Sequence, residues 1–170
     1  ARVAEEIAGA AEAVTPEEIA AEEARIKHNI RALVNCMRAR VSEEAKPFVH
    51  LCLTSFDVID TATAWRLKNV ALAGLLPELR SLLRLLLDLA RREKDTVQIW
   101  RTHGQQAEPI TFGFALAEYV ARLGNRAVAL QTAAAALPGK ISGAVGAYNA
   151  SALFFADPRE FERRVLARLG

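Results

Sequence analysis

The residues best suited to chemistry lie in three polar segments that interrupt apolar, helix-like sequence, and these segments contain all three histidines of the chain. The segments span residues 27–29, 50–57 and 101–113. His103 is the clearest candidate for proton transfer, because it stands between Thr102 and Gly104 in a segment expected to be a loop between long helices. A neutral imidazole near its reference pKa of about 6.5 can donate or accept a proton close to neutral pH. The third segment therefore predicts acid–base chemistry.

The other polar residues have simpler explanations, which the residues alone leave open. His28 points away from the apolar stripe of its predicted helix, and a solvated surface residue would do the same. Thr54, Ser55 and Asp57 have the types and spacing of a helix N-terminal cap. No two histidines are spaced i, i+4, and no short Cys/His ligand spacing occurs. The sequence therefore predicts neither a metal site nor a cofactor.

The composition is that of an ordinary globular protein, and it argues against binding of nucleic acids or membranes. Apolar residues make up 52% and charged residues 25% of the chain, and the net charge is +2. The arginines are interleaved with acidic residues, which is typical of a solvated helical surface rather than a basic patch. The most apolar stretch, residues 75–90, contains four charged residues and a proline, so a membrane span is not expected. Cys36 and Cys52 are expected to be reduced core residues of a cytoplasmic protein.

Hydrophobic periodicity predicts helices in the N-terminal part of the chain. A short helix rich in alanine and glutamate is expected over residues 3–14. The sequence TPEE at residues 15–18 has the form of a capping box with proline in the first turn, which is a strong helix start. An apolar stripe at helical spacing continues from there to Met37. One uninterrupted helix is therefore predicted to about Val41.

The remainder of the chain is also predicted to be helical. A helix is expected from about Phe56, kinked at Pro77 and continuing to about Ile99. A loop then precedes a helix that ends near Leu137. A glycine-containing loop follows, and Asp157-Pro158 has the form of a further helix start. Because no strand pattern is found, the predicted fold class is all-α: one helical domain over residues 1–170, with a leucine-rich helix buried in a bundle or oligomer.

Taken together, the polar segments resemble those of a known family. Residues 54–57 (TSFD) resemble a TSxD motif, and residues 101–113 (RTHGQQAEPITFG) resemble an RTHGQxAxPxTFG motif. Residues 139–149 (GKISGAVGAYN) resemble a GKxSGAVGxY motif. In order and spacing the segments are similar to those of the fumarase/aspartase superfamily, and within it to the adenylosuccinate lyase family. The resemblance covers the chain from about Thr15 to Gly170 and implies a long-helix bundle of that type.

The resemblance implies a lyase that releases fumarate by β-elimination. Adenylosuccinate would be cleaved to AMP and fumarate, and the succinylated imidazole-carboxamide ribotide of purine biosynthesis would be cleaved in parallel. It implies His103 as the catalytic general acid, and Thr54 and Ser55 as groups that hold a carboxylate through hydroxyls and helix-start amides. The other substrate-contacting positions that it implies are Lys27, His28, Asn29, Thr102 and Gln105. The family also implies a homotetramer in which three subunits build each site.

The chain departs from the family pattern in two respects. The family commonly has Asp after the histidine at position 28, and this chain has Asn29, which removes a charge that could orient His28. The family's serine-rich signature loop, which carries the proposed general base, has no counterpart within the 170 residues. We therefore expect a fragment that carries the end of the N-terminal region and the first part of the central bundle, with no lyase turnover by itself.

Two other functions compete with this interpretation. A 3-carboxy-cis,cis-muconate cycloisomerase of the same superfamily shares the TSxD and RTHGQ features but forms a lactone without releasing an amine. Lys27, His28 and the Tyr148-Asn149 end of the third motif favour the purine enzyme. The second alternative is a helical oligomerisation module without activity, because the Leu75–Leu89 face predicts burial against other helices.

Overall fold

The computed structural model describes residues 1–170, and seven α-helices account for most of them. The helices are α1 (Arg2–Ala13), α2 (Pro16–Ile26), α3 (Asn29–Arg38), α4 (Ser55–Asn69), α5 (Leu76–Arg92), α6 (Phe112–Ala135) and α7 (Pro158–Leu169). Short 3-10 turns lie at Lys46–Phe48 and Ser151–Leu153. The predicted all-α fold class is confirmed. No helix combines the length and the apolar character needed to cross a membrane.

The predicted helix starts are confirmed where they depend on neighbouring residues. Thr15 accepts the Glu18 amide, and the Glu18 side chain accepts the Thr15 amide at 2.9 Å, which completes the capping box of α2. The hydrogen bond from the Thr15 amide is the main cause that lowers the pKa of Glu18, and the hydrogen bond from the Arg40 side chain lowers it further. Asp157 caps α7 by accepting two amides, with Pro158 in the first turn. These motifs lie within one turn of the chain, so the sequence is sufficient to predict them.

The prediction of one helix from Thr15 to Val41 is wrong. Lys27 adopts a left-handed conformation (φ +58°) that ends α2, and His28 is extended and begins α3. The apolar spacing in the sequence continues across the break, so periodicity alone does not reveal the turn. In the structure, α2 and α3 pack against each other. The Lys27 conformation is uncommon for a residue with a side chain, and it is found mainly where the surrounding structure imposes it.

The predictions of a helix to Ile99 and of a loop over residues 101–111 are also wrong. Helix α5 ends at Arg92, and the chain forms an antiparallel hairpin of β1 (Val97–Thr102) and β2 (Gln105–Thr111). Its two-residue turn consists of His103 and Gly104, both with positive φ, which suits the twist of a tight hairpin. A register irregularity lies between Ile99 and Arg101. The irregularity shortens the alternating part of β1, and β2 has no alternating burial, so neither strand shows a clear period of two in the sequence.

Pro77 lies at a change of helix type rather than at a sharp break. The chain runs from α4 through a π-helical segment, Val70–Leu75, into α5, where Pro77 occupies the first turn. A proline lacks an amide donor, so it is tolerated where the hydrogen-bond pattern changes.

The chain divides into two compact units. Unit 1 comprises residues 1–63 and 139–170, and unit 2 comprises residues 64–138. In unit 1, helices α1 and α3 and the segment that follows α3 form a small core, whose buried members are Ala10, Val34, Val41, Ala45 and Val49. In unit 2, α5 packs along α6. Gly113 is required there, because a Cβ atom would lie 2.3 Å from the Ala90 carbonyl oxygen and 2.7 Å from the Lys94 backbone.

Candidate active site

The TSFD segment begins helix α4 in unit 1. The Thr54 amide donates to Asp57 Oδ2 at 2.9 Å, and the Asp57 amide donates to the Thr54 carbonyl at 3.1 Å. The carboxylate therefore reaches back over the first turn, as an acidic residue does in a capping box. Thr54 and Ser55 occupy the end of the helix where amide groups and the helix dipole favour an anion.

Asp57 has a second set of partners, in the glycine-containing loop that we define as residues 139–149. The Lys140 ammonium donates to Asp57 Oδ1 at 2.6 Å, and the Gly143 amide donates to both carboxylate oxygens at 3.1 and 3.2 Å. Lys140 also donates to the Gly143 carbonyl at 2.6 Å. The Asp57 side chain is fully buried, whereas that of Lys140 keeps 31% exposure. A buried carboxylate requires such pairing, because an uncompensated charge in the interior is very costly.

Two further side chains fix the same loop. Thr61, one turn after Asp57, donates its hydroxyl to the Lys140 carbonyl and accepts the Lys140 amide, both at 2.9 Å. Glu162 of α7 accepts the Ile141 amide at 2.6 Å and the Tyr148 hydroxyl. The bond to Glu162 raises the pKa of Tyr148. The loop is thus held by residues of two helices, although it contains no secondary structure of its own up to residue 149.

The Lys-His-Asn segment meets the TSFD segment within unit 1. His28 is the N-cap of α3, and its Nδ1 accepts the Arg31 amide at 3.2 Å. Its Nε2 lies 3.4 Å from Ser55 Oγ. Since Nδ1 is an acceptor, the geometry favours the neutral tautomer with its proton on Nε2, directed toward Ser55. Asn29 accepts the Ile30 amide at 2.7 Å and does not orient the imidazole.

A cleft of about 390 Å³ opens beside the start of α4. Thr54 and Cys52 lie on one side, and Ser142, Gly143 and Val145 of the loop contribute to the other. Burial raises the pKa of the Cys52 thiol, and both cysteines are free, but they are half-buried rather than the core residues that were expected. The cleft is small, mostly apolar in its lining, and adjacent to the anion-favouring end of α4, so it could accept a small carboxylate compound by its charged end.

His50 precedes this helix start, and its surroundings lower the pKa of its imidazole. Burial is the main cause that lowers the pKa of His50, and the nearby charges of Arg31 and His28 lower it further, while Asp57 acts in the opposite direction. The imidazole is only partly buried. His50 therefore favours the neutral form, and sequence reasoning had given it no role.

The third polar segment lies in unit 2, on the hairpin. His103 is at the turn with φ +52°, and Thr102 and Gln105 flank the turn as paired strand residues. All three side chains are exposed. The base of the hairpin is anchored by bonds from the Phe112 amide to the Thr96 carbonyl and from the Gly113 amide to the Glu93 carbonyl. An exposed imidazole at a defined turn can exchange protons with a bound compound.

Unusual backbone conformations coincide with the polar motifs. The non-glycine residues with positive φ are Lys27, His50, Cys52, His103 and Tyr148. Each belongs to, or borders, one of the segments that the sequence singled out. Conformations of this kind cost free energy and are concentrated at functional sites, where the surrounding structure imposes them.

Comparison with known proteins identifies the family of the chain. A family model described as a lyase matches residues 2–170. The chain belongs to this lyase family. It is similar to the adenylosuccinate lyase of Archaeoglobus fulgidus, with 40% identity over 92% of the chain and 34% of the relative. It is also similar to an N-acetyl-S-(2-succino)cysteine lyase of Enterococcus italicus, with 36% identity over 89% of the chain and 32% of the relative. The resemblance expected from the motifs is confirmed.

Solved structures of this lyase family have the same fold. The crystal structure of a fumarate lyase from Mesorhizobium superimposes with a TM-score of 0.84 at 29% identity, over 99% of this chain and 39% of that chain. A 3-carboxy-cis,cis-muconate lactonizing enzyme from Pseudomonas putida superimposes with a TM-score of 0.73 at 28% identity, over 82% of this chain and 32% of that chain. The chain spans about a third of the length of the curated relatives that it matches.

The structure brings some of the predicted site residues together. His28 and Ser55 are neighbours in unit 1, and Thr54 lines the adjoining cleft. Lys27 ends α2, and the Asn29 side chain accepts the amide of the next residue. Thr102, His103 and Gln105 form a separate group in unit 2. Sequence reasoning did not predict that four side chains hold the glycine-containing loop in place: Asp57, Thr61, Lys140 and Glu162. The GKxSG motif contained a signal for Lys140, but its partner lies 83 residues away.

Proposed function

We propose that this chain supplies the carboxylate-binding and proton-donating parts of a lyase site that releases fumarate by β-elimination. The observation that carries the proposal is the start of α4, where Thr54 and Ser55 present a helix end suited to an anion beside a cleft. A succinyl group has a carboxylate of the required kind. The family membership and the similarity to adenylosuccinate lyases support the same chemistry.

The reaction divides between binding and proton transfer. A base takes the proton next to one carboxylate of the succinyl group, the electron pair of that C–H bond forms the double bond of fumarate, and the C–N bond breaks. The departing nitrogen takes the bonding electrons and needs a proton, which His103 would supply. Thr54 and Ser55 would hold the carboxylate on which negative charge builds up, and Lys27, Thr102 and Gln105 would contact the substrate.

His28 would act on the substrate through Ser55. Its Nδ1 accepts a backbone amide, so its available proton is on Nε2, within 3.4 Å of Ser55 Oγ. When the Ser55 oxygen accepts from His28, its own hydroxyl proton is free to point toward a carboxylate. His28 is therefore proposed as a positioning residue, and the missing carboxylate at Asn29 does not impair this role.

The leaving group distinguishes the substrates within the family. The leaving group proposed for this protein is the amine of AMP. Adenylosuccinate lyases recur among the relatives at 36–40% identity, and this favours a succinylated purine nucleotide. A lactonising reaction of the muconate type is the alternative, supported by the fold similarity to that enzyme. The two chemistries differ in product, because only the first releases fumarate and an amine.

The test is a chimera in which these 170 residues replace the aligned segment of the Archaeoglobus fulgidus adenylosuccinate lyase. We expect the chimera to release fumarate from adenylosuccinate and not to lactonise 3-carboxy-cis,cis-muconate. His103→Gln should lower kcat by about 10²- to 10⁴-fold, and Ser55→Ala should mainly raise KM. Gln106→Ala, on the same hairpin, is the matched control and should leave both constants unchanged. Lactone formation, or full activity of His103→Gln, would refute the proposal.

The 170 residues alone are proposed to have no turnover, because they contain no serine-rich segment of the kind that carries the family's base. A fumarate-release assay on the isolated chain tests this directly. Turnover on the scale of a normal enzyme, about 1 s⁻¹ or more, would contradict it.

We further propose that the protein works as a homo-oligomer, a tetramer if the family pattern holds. Apolar side chains on α5 and α6 support this, since Leu82, Leu85 and Val128 are 45%, 69% and 66% exposed. Light scattering at micromolar concentration should detect a multiple of the 18.5 kDa chain mass. A folded, strictly monomeric species would contradict the proposal.

A further inference from the structure

We propose that Asp57 is a positioning residue, whose buried carboxylate ties the start of α4 to the glycine-containing loop and so sets the geometry of the carboxylate-binding cleft. The inference rests on the proposed function of Thr54 and Ser55. In this role, Asp57 and Lys140 do not touch the substrate and do not transfer a proton.

The contacts of Asp57 exceed those that a helix cap requires. A cap needs one carboxylate oxygen directed to the Thr54 amide, and Asp57 makes that bond at 2.9 Å. The other bonds go to residues 83 and 86 positions away, at Lys140 and Gly143. A cap residue at a helix surface is normally solvated, whereas the Asp57 side chain has no exposure. The carboxylate is thus the joint between two chain segments.

Charge and geometry make this joint a closed ring. Lys140 donates to Asp57, Gly143 donates to Asp57 through its amide, and Lys140 also donates to the Gly143 carbonyl. Each member therefore has two partners within the ring. Gly143 has φ +83°, a conformation that strains residues with side chains, so glycine lets the loop reach the carboxylate at the least conformational cost.

The ring lies directly behind the cleft. Thr54 lines one side and Gly143, with its neighbours Ser142 and Val145, lines the other. Asp57 bonds to the backbone of both sides. A displacement of the loop would therefore change the cleft beside the hydroxyls proposed to hold the carboxylate, without altering those hydroxyls themselves.

Hydrogen exchange of single amides in the 170-residue chain, measured by NMR, tests the joint. Asp57→Asn keeps the size of the side chain and removes its charge, so exchange at Thr54 and at Gly143 should each accelerate by about tenfold or more. Asp60→Asn is the matched control, because Asp60 is exposed on the same helix. Acceleration at Thr54 alone would identify a simple cap and overturn the proposal.

Kinetics of the chimera separate positioning from general stability. We expect Asp57→Asn to raise KM for adenylosuccinate by about tenfold, at a temperature where the variant is fully folded, with a smaller change in kcat. Asp57→Glu, which keeps the charge, should recover part of the loss. If Asp57→Asn accelerated hydrogen exchange at the Gly143 amide but left KM unchanged, the positioning role would be overturned.

Failure of the proposed function would give a different result. If the unmutated chimera released no fumarate, the lyase proposal would fail, whereas the exchange data would still decide whether Asp57 joins the two segments.

Discussion

The two regions that carry the proposed chemistry are held in different ways. The glycine-containing loop of unit 1 has almost no regular structure, but Asp57, Thr61 and Glu162 fix its backbone from two helices. The hairpin of unit 2 has regular strands and is anchored at its base, while residues 101–109 are all exposed. Regular secondary structure therefore does not indicate which region is better fixed by tertiary contacts.

This difference corresponds to the proposed roles. A group that binds a carboxylate must be in place before the substrate arrives, because preorganised donors stabilise developing charge most effectively. A general acid must approach the leaving group, and a residue on an exposed turn is free to do so. The predictions below test each side of this comparison, starting with the largest expected effect.

The base of the hairpin should be the most sensitive point of unit 2. Gly113→Ala places a Cβ atom against the backbone of Ala90 and Lys94, so we expect a loss of about 3 kcal/mol in unfolding free energy. Both tryptophans, Trp65 and Trp100, belong to unit 2, so tryptophan fluorescence during urea unfolding reports on it. Gly124→Ala, in the same helix with open space around it, should instead stabilise by about 0.5–1 kcal/mol. Equal effects of the two substitutions would show that the hairpin base is loose.

The buried ion pair should be the most sensitive point of unit 1. Lys140→Met leaves the Asp57 carboxylate buried without its counter-charge, and we expect a loss of about 2 kcal/mol, reduced by the partial exposure of Lys140. Adding Asp57→Asn should then cost less than it does in the unmutated chain, because the unpaired charge is gone. Thermal unfolding followed by circular dichroism provides the comparison. Strict additivity of the two substitutions would argue against a coupled pair.

His28 allows its cap and its contact with Ser55 to be separated. His28→Asn keeps an acceptor for the Arg31 amide and loses the reach to Ser55, so stability should change little while KM of the chimera rises. His28→Gln keeps an amide donor near Ser55 but caps poorly, so about 1 kcal/mol of stability should be lost with a smaller change in KM. If KM instead followed the loss of the cap, rising for His28→Gln and not for His28→Asn, His28 would act only as a helix cap.

The smallest expected effect is the pH dependence due to His50. Its folded-state pKa is lowered, mainly by burial, so the unfolded chain takes up the proton first as the pH falls below about 6.5. The contribution to stability is therefore complete above that value and is lost as the pH falls toward the folded-state pKa. His50→Asn, which tolerates the left-handed backbone, should show a smaller drop in Tm between pH 7.5 and 5.5. Identical drops in both proteins would exclude His50 as the cause.

The success of the sequence predictions depended on the distance over which the deciding contact acts. The capping box at Thr15 and Glu18 and the cap at Asp157 were predicted because both partners lie within one turn. The break at Lys27 and the hairpin around His103 were missed, because a continuous apolar stripe concealed the first and an irregular register concealed the second. Gly104 was a local signal for this turn, because glycine is common in two-residue hairpin turns that require positive φ.

The sequence by itself determined the helical fold class, the local caps and, through three motifs, the membership of the lyase family. Only the tertiary structure decided that Asp57 is a buried joint rather than a surface cap, and that His28 points its Nε2 toward Ser55. The physical reason is that the cost of burying a carboxylate depends on its partners, and these lie more than eighty residues away in the chain. Residue types set the chemistry that is available, and packing decides which groups can use it.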